Sequence, residues 1–305
     1  MPNESTQPRR RGHLYRVLIN SEERRLRTGW RLLCFGVIFS VTALLAQLPL
    51  AFALGVQALP PWAEQLLLYA FYLAALLLTT WLARRFLDRR PFLDLGLRLG
   101  RGWWADLLFG AALGGVLMAG ITMVEWAAGW LEFRGFAWQT VGWGQLLLSL
   151  AAAFFVYIAV GINEELMMRG YVMQNLAEGL NMRWAVVISS FVFGLLHMAN
   201  PYASWVSTLN VAVAGVFLAA GYLVTRSLWL PFGLHFGWNF FQGTIFGFPV
   251  SGTGGFHLIR QTVAGPEWVT GGPFGPEAGL TGLTAMAVGT ALIWLRGRGH
   301  KKRNP

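Results

Sequence analysis

Long uninterrupted apolar stretches, separated by short polar or basic links, make up most of the chain. They fall at about 30–56, 60–83, 104–130, 143–175, 184–199, 203–225, 227–247 and 279–296. A hydrocarbon core roughly 30 Å thick takes about 20 helical residues to cross, so these runs predict membrane-spanning helices. They are too long and too little alternating for barrel strands, and only helices and closed barrels satisfy their backbone groups in lipid. The fold class expected is all-α, a polytopic transmembrane helical bundle of about eight spans.

Composition agrees: 55% of the 305 residues are hydrophobic and 12% charged, against about 25% charged in a soluble domain. The basic residues fix the orientation. Eight of the 24 Lys and Arg precede or open the first span, six lie in 84–101, five lie in 296–303, and Arg183 and Arg226 stand singly in links. An eight-span chain with both termini cytoplasmic gathers all of these on one face, leaving Arg134 and Arg260 on the other and Arg169 inside a span. The expected location is the cell membrane. The net charge of +10 then reads as topology and attraction to anionic lipid, not as nucleic-acid binding. The 28 residues before the first span are too long for the n-region of a cleaved signal, and no A-x-A site follows, so the first helix is expected to stay as an anchor. Cys34 is the only cysteine; it excludes a disulfide, a Cys-based zinc site and a C-x-x-C pair.

By content the chain divides into a basic cytoplasmic tail (1–28), a three-span part without ionisable groups in mid-membrane (29–142), a four-span core holding the deeply placed polar residues (143–247), and an outer loop, last span and basic cytoplasmic tail (248–305). The Gly/Pro-rich stretch 248–278 is longer than an ordinary connection and predicts a structured loop or cap. No internal repeat is visible, which disfavours an inverted-repeat transporter.

Ionisable groups at bilayer depth are costly and usually functional, and the core carries several. In "GINEELMMRG" (161–170) Glu165 and Arg169 are i and i+4 on one helix face and can pair, whereas Glu164 points about 100° away and has no basic partner on its own helix. One carboxylate is thus predicted as an anchor and the other as a desolvated general base. In "FVFGLLHMAN" (191–200) His197 follows Phe193 by four residues. In "LHFGWNF" (234–240) His235 and Asn239 share a face, beside Gly233 and Gly237, which let another helix come close. An imidazole and an amide side by side can hold a developing oxyanion, or serve as a metal ligand with its supporting group. Counted from the presumed cytoplasmic helix ends, Glu164, His197 and His235 lie about 22, 20 and 12 Å deep, close enough to share a layer.

Taken in order, "EELMMR", "FVFGLLH" and "HFGWN" resemble the CAAX protease and bacteriocin-processing family of intramembrane endopeptidases, whose pattern is E-E-x-x-x-R, F-x-x-x-H and H-x-x-x-N. The text "TGGPFGPEAG" (270–279) is also similar to what members carry before the last span. The resemblance implies catalytic roles for Glu164, His197, His235 and Asn239, with Glu165 and Arg169 supporting the site. It implies hydrolysis of a peptide bond in a membrane-associated, CAAX-type protein or peptide, inside a polar cavity expected to open toward the cytoplasm. Glutamate-activated water needs no cofactor, while zinc held by Glu164, His197 and His235 is left open. Other intramembrane protease types fit less well. There is no H-E-x-x-H, Asp88, Asp94 and Asp106 all lie in or beside the basic loop, and Ser189 and Ser190 lack a G-x-S-x-G context. The alternatives are a non-proteolytic self-immunity or scaffold protein and a proton-coupled transporter.

Overall fold

A computed structural model describes residues 13–20, 22–56 and 59–303. Of the basic tails, residues 1–12, 21 and 304–305 lie outside the described residues, and with them the two chain ends whose placement the charge pattern predicts. Eight helices build the bundle: α1 (Thr28–Val56), α2 (Pro61–Leu82), α3 (Trp103–Ala127), α4 (Trp143–Glu165), α5 (Met182–Leu196), α6 (Trp205–Thr225), α7 (Trp229–Asn239) and α8 (Leu280–Arg303). The chain is an all-α membrane protein; among the described residues, seven helices are long and apolar enough to cross a bilayer.

The expected span at 227–247 differs from the other seven. It is α7 followed by a six-residue π-helical run, Phe240–Ile245, and no residue from Trp229 to Ile245 is exposed. Its neighbours surround it, so its length is not set by the bilayer. Contrast α1, where Leu33, Val37, Val41, Leu44, Leu48 and Phe52 are all exposed on a lipid-facing stripe. The close approach that Gly233 and Gly237 predict is made to α3, which answers with Gly110 and Gly114. A methyl group at Gly233 or Gly237 would strike the backbone of Leu107 or Ala111, and one at Gly110 or Gly114 would strike that of Leu230 or Trp238. With no hydrophobic drive between helices in lipid, such backbone-to-backbone packing is what holds them.

α4 does not stop at Glu165. It continues through a π-helical segment, Leu166–Val172, into Met173–Gly179, forming a 37-residue rod. The far end of that rod joins an arginine network. Asp88 is buried between Arg31 and Arg84, each 3.0 Å away, and Glu178 accepts from Arg25 at 2.8 Å and Arg31 at 3.0 Å. A buried carboxylate survives when paired and hydrogen-bonded. Asp94 and Asp106 likewise find Arg98 and Arg296. All three aspartates therefore belong to the arginine-rich end of the bundle.

At the opposite end, β1 (Leu131–Phe136) pairs antiparallel with β2 (Ile259–Val263), with a bulge between Phe133 and Gly135. The stretch 248–278 is an ordered cap, as its length predicts. Gly252 N donates to Phe274 O (2.7 Å), Ser251 N to Glu277 Oε2 (2.8 Å), and Asn200 Nδ2 to Ser251 O (3.0 Å).

Candidate active site

The six residues singled out in the sequence come from three elements, α4 with its π-helical extension, the end of α5, and α7, and they meet in the bundle interior. Glu165 and Arg169 pair as their spacing predicts, Nη1 to Oε1 at 2.8 Å, both side chains almost fully buried. Arg169 also donates Nη2 to Gly215 O of α6 (3.0 Å) and lies over the Phe193 ring, 4.5 Å from its centroid. The F-x-x-x-H spacing thus has two uses. The ring of Phe193 covers the guanidinium, and its carbonyl accepts from His197 Nδ1 at 2.8 Å.

The same Glu165 oxygen that meets Arg169 also lies 2.9 Å from His235 Nδ1. This bond joins residues 70 positions apart, which spacing along the chain gives no means of pairing. Glu165 is therefore the anchor for an imidazole on another helix as well as for its own arginine.

Glu164 faces the other way, into the space between the histidines, with Oε2 3.6 Å from His235 Nε2 and 3.9 Å from His197 Nε2. That oxygen is shielded from solvent and has no hydrogen-bond partner. The tautomers follow from the partners. Phe193 O accepts only, so His197 Nδ1 carries hydrogen. Glu165, as carboxylate, accepts only, so His235 Nδ1 carries hydrogen too. Both Nε2 atoms facing Glu164 are then lone pairs in neutral imidazoles, and either becomes a donor only in an imidazolium.

These groups form the floor of a cavity of about 270 Å³. Asn239 lines it from α7, one turn beyond His235. Residues that the sequence reading passed over line it too: Tyr69 of α2, Tyr157 of α4, Asn200, and the cap residues Ser251 and Glu277. Tyr69 brings a polar group to the site from the three-span part that seemed inert. Glu277 had a faint signal as the acid of "GPEA", between two glycines. It lies almost fully buried, and burial pushes its carboxyl up from the ordinary carboxylate value against the lowering effect of Ser251 N–H.

Met168, Phe193, Leu230 and Leu234 belong to the buried apolar cluster of the bundle. Asn200, Ser251 and exposed Thr253 also line the cavity. α5 runs away from Arg183 and delivers His197 at its far terminus.

The open question of zinc has a geometric side. Three ligands near 2.0–2.1 Å from a tetrahedral ion lie roughly 3.3 Å apart, shorter than either separation measured from Glu164. Among the described residues no group of three or more His, Cys, Asp or Glu is arranged to hold a metal ion. The bond from Glu165 to His235 would suit a ligating histidine, but the donor set itself does not fit one. What the arrangement offers is a carboxylate oxygen facing two imidazoles in a part-enclosed cavity, with an amide nearby.

No curated protein matches the chain. Residues 145–241, which contain all three sequence boxes, match the family model described as type II CAAX prenyl endopeptidase Rce1-like. Over this segment the chain is similar to that family of CAAX prenyl endopeptidases.

Proposed function

We propose that the protein is an intramembrane endopeptidase that hydrolyses a peptide bond of a membrane-associated polypeptide with water activated by Glu164. The observation that carries this reading is the convergence of Glu164 Oε2 with the Nε2 atoms of His235 and His197, within 3.6 and 3.9 Å, on the floor of a cavity. A water bound there meets three acceptors but has two hydrogens, so an extra proton on one of the three groups lets all three bond it.

Assigning that proton to His235 gives a consistent cycle. Glu165 stabilises the imidazolium from its Nδ1 side, as the buried carboxylate of a Ser-His-Asp triad does. Glu164 takes a proton from the water, steered by His197, and the hydroxide adds to the peptide carbonyl. The oxyanion is held by His235 Nε2–H and the Asn239 amide. Glu164 then passes its proton to the departing nitrogen, the C–N bond breaks, and a carboxylate and an amine leave. His235 and Asn239 thus act as the donor pair their shared face suggests, on condition that His235 is charged.

No step runs through a metal, since the donor set does not fit one. A proton-coupled carrier has less support, because no internal repeat is visible in the sequence.

The test is product identification by mass spectrometry after incubating membranes that carry the protein or its Glu164→Gln variant. Glu164→Gln is expected to insert and fold normally and to lose cleavage by about 10²–10⁴-fold, the usual contribution of a general base. Cleavage retained in Glu164→Gln but lost in Glu165→Gln would exchange the two roles. Fragments absent from both samples would leave the scaffold reading in place of the protease.

A further inference from the structure

We infer that Glu277 is a cation site within the cavity, binding the ammonium of a lysine or the guanidinium of an arginine, so that the bonds cut lie close to basic residues of the polypeptide. The second half of that statement rests on the endopeptidase reading. The cation site itself rests on which charges in and around the cavity have partners.

Of the residues that line the cavity, Glu164 and Glu277 carry the carboxylates, and none is lysine or arginine. Other buried carboxylates of the bundle are matched by arginine: Glu165 by Arg169 at 2.8 Å, and Asp88 by Arg31 and Arg84 at 3.0 Å each. Glu125, buried without an arginine, accepts from Thr281 at 2.8 Å and is not part of the cavity lining. In the cycle above Glu164 faces the imidazolium of His235. Glu277 has no such counterpart, although it is only 5% exposed. Its bonds come from neutral donors, with Ser251 N–H on Oε2 at 2.8 Å and the Gln242 amide beside it. His197, within electrostatic reach, is the neutral imidazole of that cycle. A buried charge is costly unless paired. Burial pushes this carboxyl up, and a bound cation would take the place of the proton it holds.

The carboxylate is fixed in place by the backbone around it. Glu277 stands on the turn Pro276–Ala278, between Gly275 and Gly279. Gly275 has φ +109°, and a Cβ there would lie 2.2 Å from Pro249 O, so the turn is pressed against the strand of chain that carries Ser251. Gln242 Nε2 donates to the same Pro249 carbonyl at 2.6 Å. Phe217, Leu218 and Trp238 supply apolar lining, against which the methylene stem of a lysine or arginine can pack while its charged head reaches a carboxylate. The cavity is about 270 Å³, so the residue that reaches Glu277 belongs within a few positions of the bond presented to Glu164.

Peptide capture tests the cation site without requiring turnover. The probe is a library of N-acetylated, C-amidated nonapeptides, each with one lysine, arginine, norleucine or glutamate in a random frame of alanine, leucine and serine. It is passed in nonionic detergent over immobilised Glu164→Gln protein, and over the same protein carrying Glu277→Gln, Glu277→Lys or, as a surface control, Glu132→Gln at an exposed position. Each variant is used as the species that elutes as a single peak. Retained peptides are counted by mass spectrometry. Lysine and arginine peptides are expected to be enriched about 10–100-fold over norleucine peptides, the worth of one charge-assisted hydrogen bond. The enrichment should persist in Glu132→Gln, vanish in Glu277→Gln and pass to glutamate peptides in Glu277→Lys. If Glu277→Lys does not accumulate, Glu277→Gln, which still accepts from Ser251 N–H, carries the test. No enrichment, or an enrichment that survives Glu277→Gln, overturns the inference. The same library incubated with the unsubstituted protein separates the two readings: capture through Glu277 with no cuts keeps the cation site and removes the protease, whereas cuts with no preference for basic neighbours keep the protease and refute the cation site.

Discussion

Removing either member of the Glu165–Arg169 pair should destabilise the bundle, but not by the same amount. Both are buried, and breaking a buried ion pair by deleting one partner costs about 3–5 kcal/mol, because the survivor is left uncompensated. The surroundings decide which survivor fares worse. In Arg169→Met, Glu165 keeps His235 Nδ1 at 2.9 Å and can also relieve its charge by taking a proton. In Glu165→Gln, Arg169 keeps the Gly215 carbonyl and the Phe193 face. Those contribute about 1.5–3 kcal/mol for a hydrogen bond to a charged group and about 2 for a desolvated cation–π contact, but the guanidinium cannot lose its proton. Glu165→Gln is therefore expected at the upper end of the range and Arg169→Met at the lower. The double variant should recover most of the loss, since no charge is left alone. Thermal unfolding in detergent of the two single variants and the double measures the coupling as a double-mutant cycle. If the double is as unstable as the sum of the singles, the pair does not act as a unit and the reasoning fails. Cleavage need not return with stability, because the double variant also removes the group that holds His235.

Three further outcomes are expected. Gly237→Ala drives a methyl group into the Ala111 backbone and should cost about 1–3 kcal/mol as overpacking, whereas Gly120→Ala, with open space around it, should be neutral; equal melting temperatures would refute the close α3–α7 contact. Glu277, facing Ser251, Gln242 and His197, has a folded-state pKa above its ordinary value of 4.5, so the native state holds its proton longer than the unfolded chain. Its contribution is fully present below that value and declines as pH rises through the raised one. Glu277→Gln should therefore flatten the fall in melting temperature as pH rises from the ordinary value, and an unchanged slope would count against burial as the dominant influence. Treatment with EDTA or 1,10-phenanthroline should leave the cleavage rate unchanged; a loss that added zinc restores would show that the donor set rearranges around a metal.

The sequence disclosed what lies along a single helix. The Glu165–Arg169 pair, the separate direction of Glu164 and the closeness allowed by Gly233 and Gly237 all follow from 3.6-residue periodicity, and each is found in the structure. It was less informative about how one helix is rotated against another. The bond from Glu165 to His235, the choice of α3 as the partner of α7, and the entry of Tyr69 all depend on such rotations. "GAALGG" (110–115) in α3 matches the spacing of Gly233 and Gly237 and was the available signal for that partner. The cap residues that line the cavity, Ser251 and Glu277, lie in Gly/Pro-rich text that has no periodicity to read.

The short α7, with no exposed residue, has a bearing on how the protein answers to its lipid surroundings. A helix with a lipid-facing stripe such as α1 must tilt or slide when the hydrocarbon layer thickens or thins. α7 has no exposed residue along its length, while its glycines lock it to α3 backbone against backbone. His235 and Asn239 are therefore carried on an element that registers its depth against neighbouring helices and not against the bilayer. The relative placement of the two histidines and Glu164 should persist across membranes of different acyl-chain length, even where the outer helices re-tilt to meet them.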